Sequence, residues 1–338
     1  RGTRPGSPLS VTWRTPAVVV AGSVLGAAEG GAVLRRVLLA ASASEPLRRI
    51  AEEFGPARAV AMRFVAGETL DEALRAAHRL HAASMAVSLD QLGEAVTAAA
   101  VARAAADGYL RALDRLAATE LDGQISVKAS QLGLRVAPTL CRHLLSEVCD
   151  RAAAHGMDVT VDMEGSDLTQ ATVDLILTLR SLGHGNVGCA VQSYLNRTPD
   201  DVAKLTASGA SLRLCKGAYA EPPAVAFQRA ADIDVAFARL AARLLRSGTY
   251  PRIATHDHRL IRRVEDLARR EGIGADRFEF QMLYGVRRPL QRQLVADGWR
   301  LRIYVPFGGE WFPYFMRRIA ERPANLAFFL RAVAARRA

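Results

Sequence analysis

The 338-residue sequence predicts an α/β chain folded as a (β/α)8 barrel. Two observations point there and a third removes support from the main rival. Past residue 80, short β-rich runs alternate with longer segments of Ala, Leu and Arg at helical spacing, the pattern of repeated βα units. The runs number eight, which is the count that closes such a barrel. No GxGxxG follows any of them, so the dinucleotide-binding form of the open doubly wound sheet has no sequence support.

Residues 32–80, with RRVLLAAS, EPLRRIAEEFG and TLDEALRAAHRL, read as N-terminal helices packed onto the barrel, and residues 81–338 as the barrel itself. Strands are expected at residues 85–90 (MAVSLD), 124–129 (QISVKA), 158–163 (DVTVDM), 187–193 (VGCAVQS), 211–217 (SLRLCKG), 252–257 (RIATHD), 278–282 (FEFQM) and 301–307 (LRIYVPF). Between them, segments such as 94–119, 136–155, 169–182, 198–208 and 258–271 are long enough for crossover helices. No linker, repeat or low-complexity tract marks a second domain, so residues 32–338 are expected as one domain.

Composition is that of a globular chain, 50% hydrophobic and 23% charged. A net charge of +11 would by itself invite nucleic acid or an anionic surface, but residues 1–63 carry +5 and residues 285–338 carry +8, which leaves the middle at −2. Only Lys128, Lys204 and Lys216 among the 45 basic residues are lysines. Codon bias explains that skew most simply, and nucleic-acid binding is not expected. Cys141, Cys149, Cys189 and Cys215 show no metal or disulfide spacing and read as buried thiols of a reducing cytoplasm. The longest apolar stretch, residues 17–28, falls short of the ~20 residues of a membrane span. Arg4 and Arg14 ahead of it give it the look of a weak secretory signal, yet the RRVLLA beyond reads as an amphipathic helix and not as a cleavage region.

In a barrel of this kind the active site is built where the strands end. The polar residues there are Lys128, Asp162, Glu164, Gln192, Tyr194, Lys216, Tyr219, Thr255, His256, Asp257, Gln281, Tyr284 and Tyr304. Any one of them reads equally well as a solvated or capping side chain; together they outline a site. Two of the three lysines fall among them, where an ammonium can neutralise a carboxylate or phosphate. Further on, GGEWFPYFMRRIAER reads as a helix with Trp311, Phe312, Tyr314 and Phe315 near its start and Arg317 and Arg318 about two turns in. Outside the barrel, this helix would carry the arginines off the catalytic face and pair Arg317 with Glu321 at i,i+4. Across the top, it would aim two guanidiniums at a small carboxylate. Periodicity leaves both open.

Taken together, the segments resemble the proline dehydrogenase family. They stand here as ISVKASQLG (125–133), VDMEGS (161–166), QSYL (192–195), LRLCKGAY (212–219), ATHD (254–257), FEFQMLYG (278–285), YVPFG (304–308) and RRIAERPANL (317–326), in family order, with FVAGET (64–69) and SLDQLGE (88–94) before them. The resemblance implies a distorted TIM-type barrel, with the final helix over the C-terminal face. It implies FAD held noncovalently at the strand ends and oxidation of L-proline to Δ1-pyrroline-5-carboxylate, with electrons passed to a quinone-type acceptor. Carried over by residue, Lys128, Arg317 and Arg318 bind the substrate carboxylate, Asp162 faces the amine, and Tyr304 and Leu283 wall the ring with Tyr219 close by. Met163, Gln192, Arg213, Lys216, Gly217, Ala218, Thr255, His256 and Gln281 contact FAD, with Glu321 a lesser contributor. Arg213, near the flavin N5, stabilises negative charge on the reduced ring. Lys128, Asp162, Arg213 and Tyr304 are thus the catalytic set.

Two departures stand out: Cys215 where the family usually has Val, and Asp257 where members often carry Asn. Residues 1–31 match nothing in the family and are expected as an extension without fixed structure. Nothing resembles the DNA-binding or aldehyde dehydrogenase portions of bifunctional members, so a monofunctional, cytoplasmic enzyme is expected. Two rivals remain, a hydroxyproline dehydrogenase and a catalytically silent barrel acting as a binding protein. The bulky phenol of Tyr304 argues against the first, and the presence of Lys128, Asp162, Tyr304, Arg317 and Arg318 against the second. The basic ends allow either transient peripheral contact with an anionic membrane or simple solubilisation of a terminal helix.

Overall fold

The structure, a computed structural model, describes residues 55–93 and 96–321, with side chains over 58–93 and 96–319. Two helices, α1 (Gly55–Ala61) and α2 (Leu70–His81), precede eight strand–helix units. These are β1 (Ala86–Gln91), α3 (Ala99–Ala117), β2 (Gly123–Lys128), α4 (Pro138–Ala154), β3 (Val159–Asp162), α5 (Ser166–Ser181), β4 (Val187–Gln192) and α6 (Thr198–Ala207). They continue as β5 (Leu212–Cys215), α7 (Ala230–Ser247), β6 (Arg252–Ala254), α8 (His258–Glu271), β7 (Glu279–Leu283), α9 (Arg288–Ala296), β8 (Leu301–Phe307) and α10 (Trp311–Glu321). All strands run parallel in the order β1 to β8, and β8 closes on β1 from Ala86 opposite Arg302 to Gln91 opposite Phe307.

Each expected run overlaps one strand, with ends that agree to within one residue except at two places facing the site: β5 stops at Cys215 and β6 at Ala254, short of the expected 217 and 257. Here the chain turns out of the sheet into loops. Gly217 takes φ +122°, and Asp257 becomes the N-cap of α8 by accepting the amide of Arg259. Helix α2 opens on a capping box, in which Thr69 accepts from the Glu72 amide while Glu72 reaches back to the Thr69 amide. The expected segments 32–54 and 1–31 lie outside the described residues.

The alternation of side chains along the strands sorts the barrel. One set, including Val87, Leu89, Ile125, Val127, Val159, Val161, Leu212, Leu214, Phe280, Ile303 and Val305, is buried and apolar and packs beneath the helices. The other set faces inward and is largely polar: Ser88 and Asp90, Ser126 and Lys128, Thr160 and Asp162, Arg213, Arg252, Glu279 and Gln281, Arg302 and Tyr304. Bonds across the interior show this orientation, for Arg252 on β6 donates to Thr160 on β3 at 2.9 Å and Arg213 on β5 donates to Ser126 on β2 at 2.7 Å. Buried charge must be paired. At the N-terminal end Arg302 donates to Glu279 at 2.8 Å and Arg252 to Asp158 at 2.5 Å. Although burial opposes it, Arg302 and Arg252 hold the Glu279 carboxyl below its ordinary value.

Helix α10 does not join the outer ring. Trp311, Phe312, Phe315 and Ile319 pack with Val60, Phe64 and Val65 in and after α1, in a cluster separate from the barrel core. The turn after β7 comes close to the α1–α2 connection: Gly285 has φ +74°, and a Cβ there would lie 1.6 Å from the Arg63 carbonyl oxygen.

Candidate active site

The C-terminal strand ends surround a cavity of about 1020 Å³. Its wall includes sixteen of the seventeen residues to which the resemblance gives a role: Lys128, Asp162, Met163, Gln192, Arg213, Lys216, Gly217, Ala218, Tyr219, Thr255, His256, Gln281, Leu283, Tyr304, Arg317 and Arg318. The side chain of the seventeenth, Glu321, lies outside the described residues. Because α10 turns Tyr314, Arg317 and Arg318 toward the same cavity as the strand ends, the helix lies across the top of the barrel.

Asp162, ending β3, is the centre of a tight cluster. Its Oδ1 accepts from Arg213 Nη1 at 2.6 Å, its Oδ2 accepts from the Tyr304 hydroxyl at 2.6 Å, and Lys128 Nζ stands 3.7 Å away. Burial first, then the Asp162 charge, pushes the Tyr304 phenol well above its ordinary value, so it remains a donor at any working pH. Arg213 is fixed on three sides: Nε donates to Gln281 at 2.6 Å, Nη2 to Ser126 at 2.7 Å, and the guanidinium lies 5.2 Å from the centre of the Tyr304 ring. Its partners come from β2, β3, β7 and β8, so only the closed barrel assembles them.

Farther out, the Leu283 amide donates to His256 Nε2 at 2.9 Å, which makes that nitrogen the unprotonated one. Arg287, held at φ +53°, donates to the His256 carbonyl at 2.7 Å. Lys216 is bridged by Asp234 at 2.6 Å and Asp257 at 3.2 Å. Despite the opposing effect of burial, hydrogen bonds from Arg259 and Lys216 hold the Asp257 carboxyl far below its usual range. Asp257 therefore caps a helix and restrains a cavity lysine at once.

Three strand-end candidates turn away. Glu164 is buried and accepts from the Ser130 amide at 3.0 Å and the Ser130 hydroxyl at 2.6 Å, fastening the loop after β2. Tyr194 packs with Leu195 and Ala226, and Tyr284 packs at the margin of the barrel core. Cys215 departs from expectation in the other direction. It is only half-buried and faces the cavity, because it is the last residue of β5 and occupies an inward position. Among residues without an assigned role, Arg259, Arg287 and Tyr314 also line the cavity, and Asp90 is fully buried behind Lys128. Asp90 is the last residue but one of β1, so the rule that found the other strand ends reaches it once applied to the first strand.

The wall carries seven Lys and Arg side chains against two carboxylates, Asp162 and Asp257. Such a cavity suits anionic ligands, and its inner end offers a carboxylate beside a phenol and two cations.

Comparison with known proteins agrees with this architecture. Residues 73–331 match the family described as proline dehydrogenase. Proline dehydrogenase 1 of Bacillus subtilis subsp. natto is 37% identical over 301 residues, covering 89% of this chain and 99% of its own. Proline dehydrogenase of Deinococcus radiodurans is 38% identical over 282 residues, covering 81% of this chain and 90% of its own. Among solved structures, proline utilization A from Bdellovibrio bacteriovorus, inactivated by N-propargylglycine, superposes with a TM-score of 0.75 at 24% identity; the match covers 87% of this chain but 37% of that longer one, and speaks for the fold. An eight-stranded parallel barrel, a cationic cavity at its strand ends and relatives matched over almost their full length lead to one conclusion: the chain belongs to the proline dehydrogenase family.

Proposed function

We propose that the cavity takes L-proline and FAD together, and that the chain oxidises proline to Δ1-pyrroline-5-carboxylate. The observation that carries this reading is the composition of the wall, seven cations against two carboxylates around about 1020 Å³. Proline brings a carboxylate and FAD a pyrophosphate, and the volume is at the upper end of small-molecule sites. Lys128, Arg317 and Arg318 hold the proline carboxylate. Met163, Gln192, Arg213, Lys216, Gly217, Ala218, Thr255, His256 and Gln281 hold the cofactor, which supplies the hydride acceptor when bound.

The chain's own residues prepare the substrate. The C–H bond of the ring carbon next to nitrogen, on the side away from the carboxylate, gives up its hydride; the nitrogen lone pair forms the C=N bond, and the nitrogen sheds its proton. That lone pair must first be free. Asp162, paired with Arg213 and Lys128 and bonded by Tyr304, accepts from the ring nitrogen and orients it or takes its proton. Tyr304 and Leu283 confine the ring with Tyr219, and the phenol leaves little space for an added hydroxyl, which disfavours hydroxyproline.

In this reading electrons pass to a quinone-type acceptor, and the basic segments favour transient contact with an anionic membrane. No helix among the described residues is long and apolar enough to cross a membrane. Four free thiols fit a cytoplasmic setting. Anaerobic absorbance spectra of the purified, FAD-supplemented chain test the core of the reading. Proline should bleach the flavin band and trans-4-hydroxy-L-proline should not; a band that stays oxidised with proline overturns the assignment. Flotation with anionic vesicles at low salt tests the membrane contact, which fails if the protein stays wholly in solution.

A further inference from the structure

We infer that Asp90 is a positioning residue for substrate binding, acting by holding Lys128 at the cavity wall; the inference rests on the reading of the site given above. Asp90 lies near the end of β1 opposite Ser126, two residues before Lys128 on the neighbouring strand. Its Oδ1 accepts from Lys128 Nζ at 2.7 Å. The Asp90 side chain is 0% exposed and that of Lys128 is 7% exposed, and only the lysine lines the cavity. Asp90 therefore cannot touch a ligand there, and its influence must pass through the ammonium.

Two features separate this pair from an ion pair that serves only the barrel. Glu279, at the other end, has both oxygens bonded, Oε1 to Arg302 and Gln281 and Oε2 to Tyr250 at 3.4 Å. Asp90 Oδ2, in contrast, is buried without a close hydrogen-bond partner among the described residues, the neighbouring Tyr304 hydroxyl being bonded to Asp162 instead. A carboxylate placed for stability alone would have its second oxygen satisfied as well, because leaving it bare costs free energy. Lys128 also stands between two carboxylates of different situation, Asp90 behind it and Asp162 in the wall at 3.7 Å. A lysine has a long flexible stem and three N–H donors. With one donor anchored to the rear by Asp90, the ammonium cannot swing fully onto Asp162, and Asp162 stays available to the ring nitrogen.

The test is a double-mutant cycle with Asp90→Asn, Lys128→Ala and the pair combined, reading KM, kcat and the Kd of cyclopentanecarboxylate, a ring acid without the amine, from the flavin difference spectrum. Asp90→Asn should raise both KM and that Kd by about tenfold, as expected for a charge-assisted hydrogen bond lost at one remove, while kcat falls much less. In the Lys128→Ala background the same change should add less than twofold, and Asp90→Glu should restore part of the affinity lost in Asp90→Asn. Effects that multiply across the cycle, or a fall in thermal stability with KM and Kd unchanged, would overturn the role of Asp90. If the wild-type flavin is not reduced by proline, the reading of the site fails first and carries this inference with it. Asp90→Asn preserves shape, and matching far-ultraviolet circular dichroism establishes that the variants compared are folded.

Discussion

At the N-terminal end of the barrel Glu279 lies between Arg252 and Arg302, and at the C-terminal end Asp162 lies between Arg213, Lys128 and Tyr304. Both carboxylates occupy inward positions of the same closed sheet, and a continuous set of hydrogen bonds joins them, from Asp162 through Arg213 and Gln281 to Glu279. Their surroundings differ. Glu279 is 0% exposed and its partners seal it; Asp162 is 16% exposed and looks into the cavity. The comparison teaches that charge inside a barrel does not mark a site by itself. What marks it is charge facing open volume, with a cationic excess that a ligand can answer.

The strongest way to break this comparison is Glu279→Ala. It should cost about 3–5 kcal/mol in chemical denaturation, the cost of stranding buried guanidiniums, with a smaller change in proline KM. A KM effect as large as the stability effect would mean that the two clusters act as one unit. Acid sharpens the point. The folded value of Glu279 is depressed, so its stabilisation is present above the unfolded value of about 4.3 and lost as pH falls through the folded value. The stability gap between wild type and variant should therefore narrow below about pH 4.

At the open end, Arg318→Ala should raise the Kd of cyclopentanecarboxylate and the KM for proline by roughly ten- to a hundredfold, the range for a hydrogen bond to a charged group, with little change in stability. Equal losses in stability would assign Arg318 to structure. Tyr304→Phe keeps the ring beneath Arg213 and removes the bond to Asp162; kcat/KM should fall about tenfold. Because the Tyr304 phenol is pushed above its ordinary value, the wild-type pH–rate profile should show no basic limb near 10 arising from it. The smallest effect is chemical. Burial pushes Cys141, Cys149 and Cys189 up to about 12, whereas Cys215 faces the cavity. Iodoacetamide at pH 8 should label Cys215 first by mass spectrometry, and added FAD should slow that labelling.

Much of this was legible in the sequence for a local reason. Strands buried under helices need runs such as ISV, VTV and LRL, and crossovers need amphipathic stretches, so eight units could be counted from residues alone. Strand-end chemistry followed from the architecture, which is why Lys128, Asp162 and Tyr304 were in view at once. Asp90 was legible by the same logic, as the polar residue ending the first run. Glu164 and Tyr194 were equally polar and equally placed in sequence, yet they turn to Ser130 and to a local apolar cluster. One pleat or a loop turn decides such cases, and neither is written in residue type.

The sequence by itself determined the eight βα units, the polar strand ends and the family resemblance, because each depends on short-range pattern. Only the tertiary structure decided that α10 crosses the barrel mouth, since its arginines read equally well as a surface pair until Trp311, Phe312 and Phe315 are seen against α1. Only closure of β8 on β1 decided which charges become neighbours, for it brings Tyr304 to Asp162 across 142 residues. The pairing of β1 with β2 sets Asp90 behind Lys128, in an ion pair of which one residue reaches the cavity and the other never does. Contacts at such separation carry no signature in local periodicity, and the burial that shuts Asp90 away from the cavity exists only once the barrel has formed.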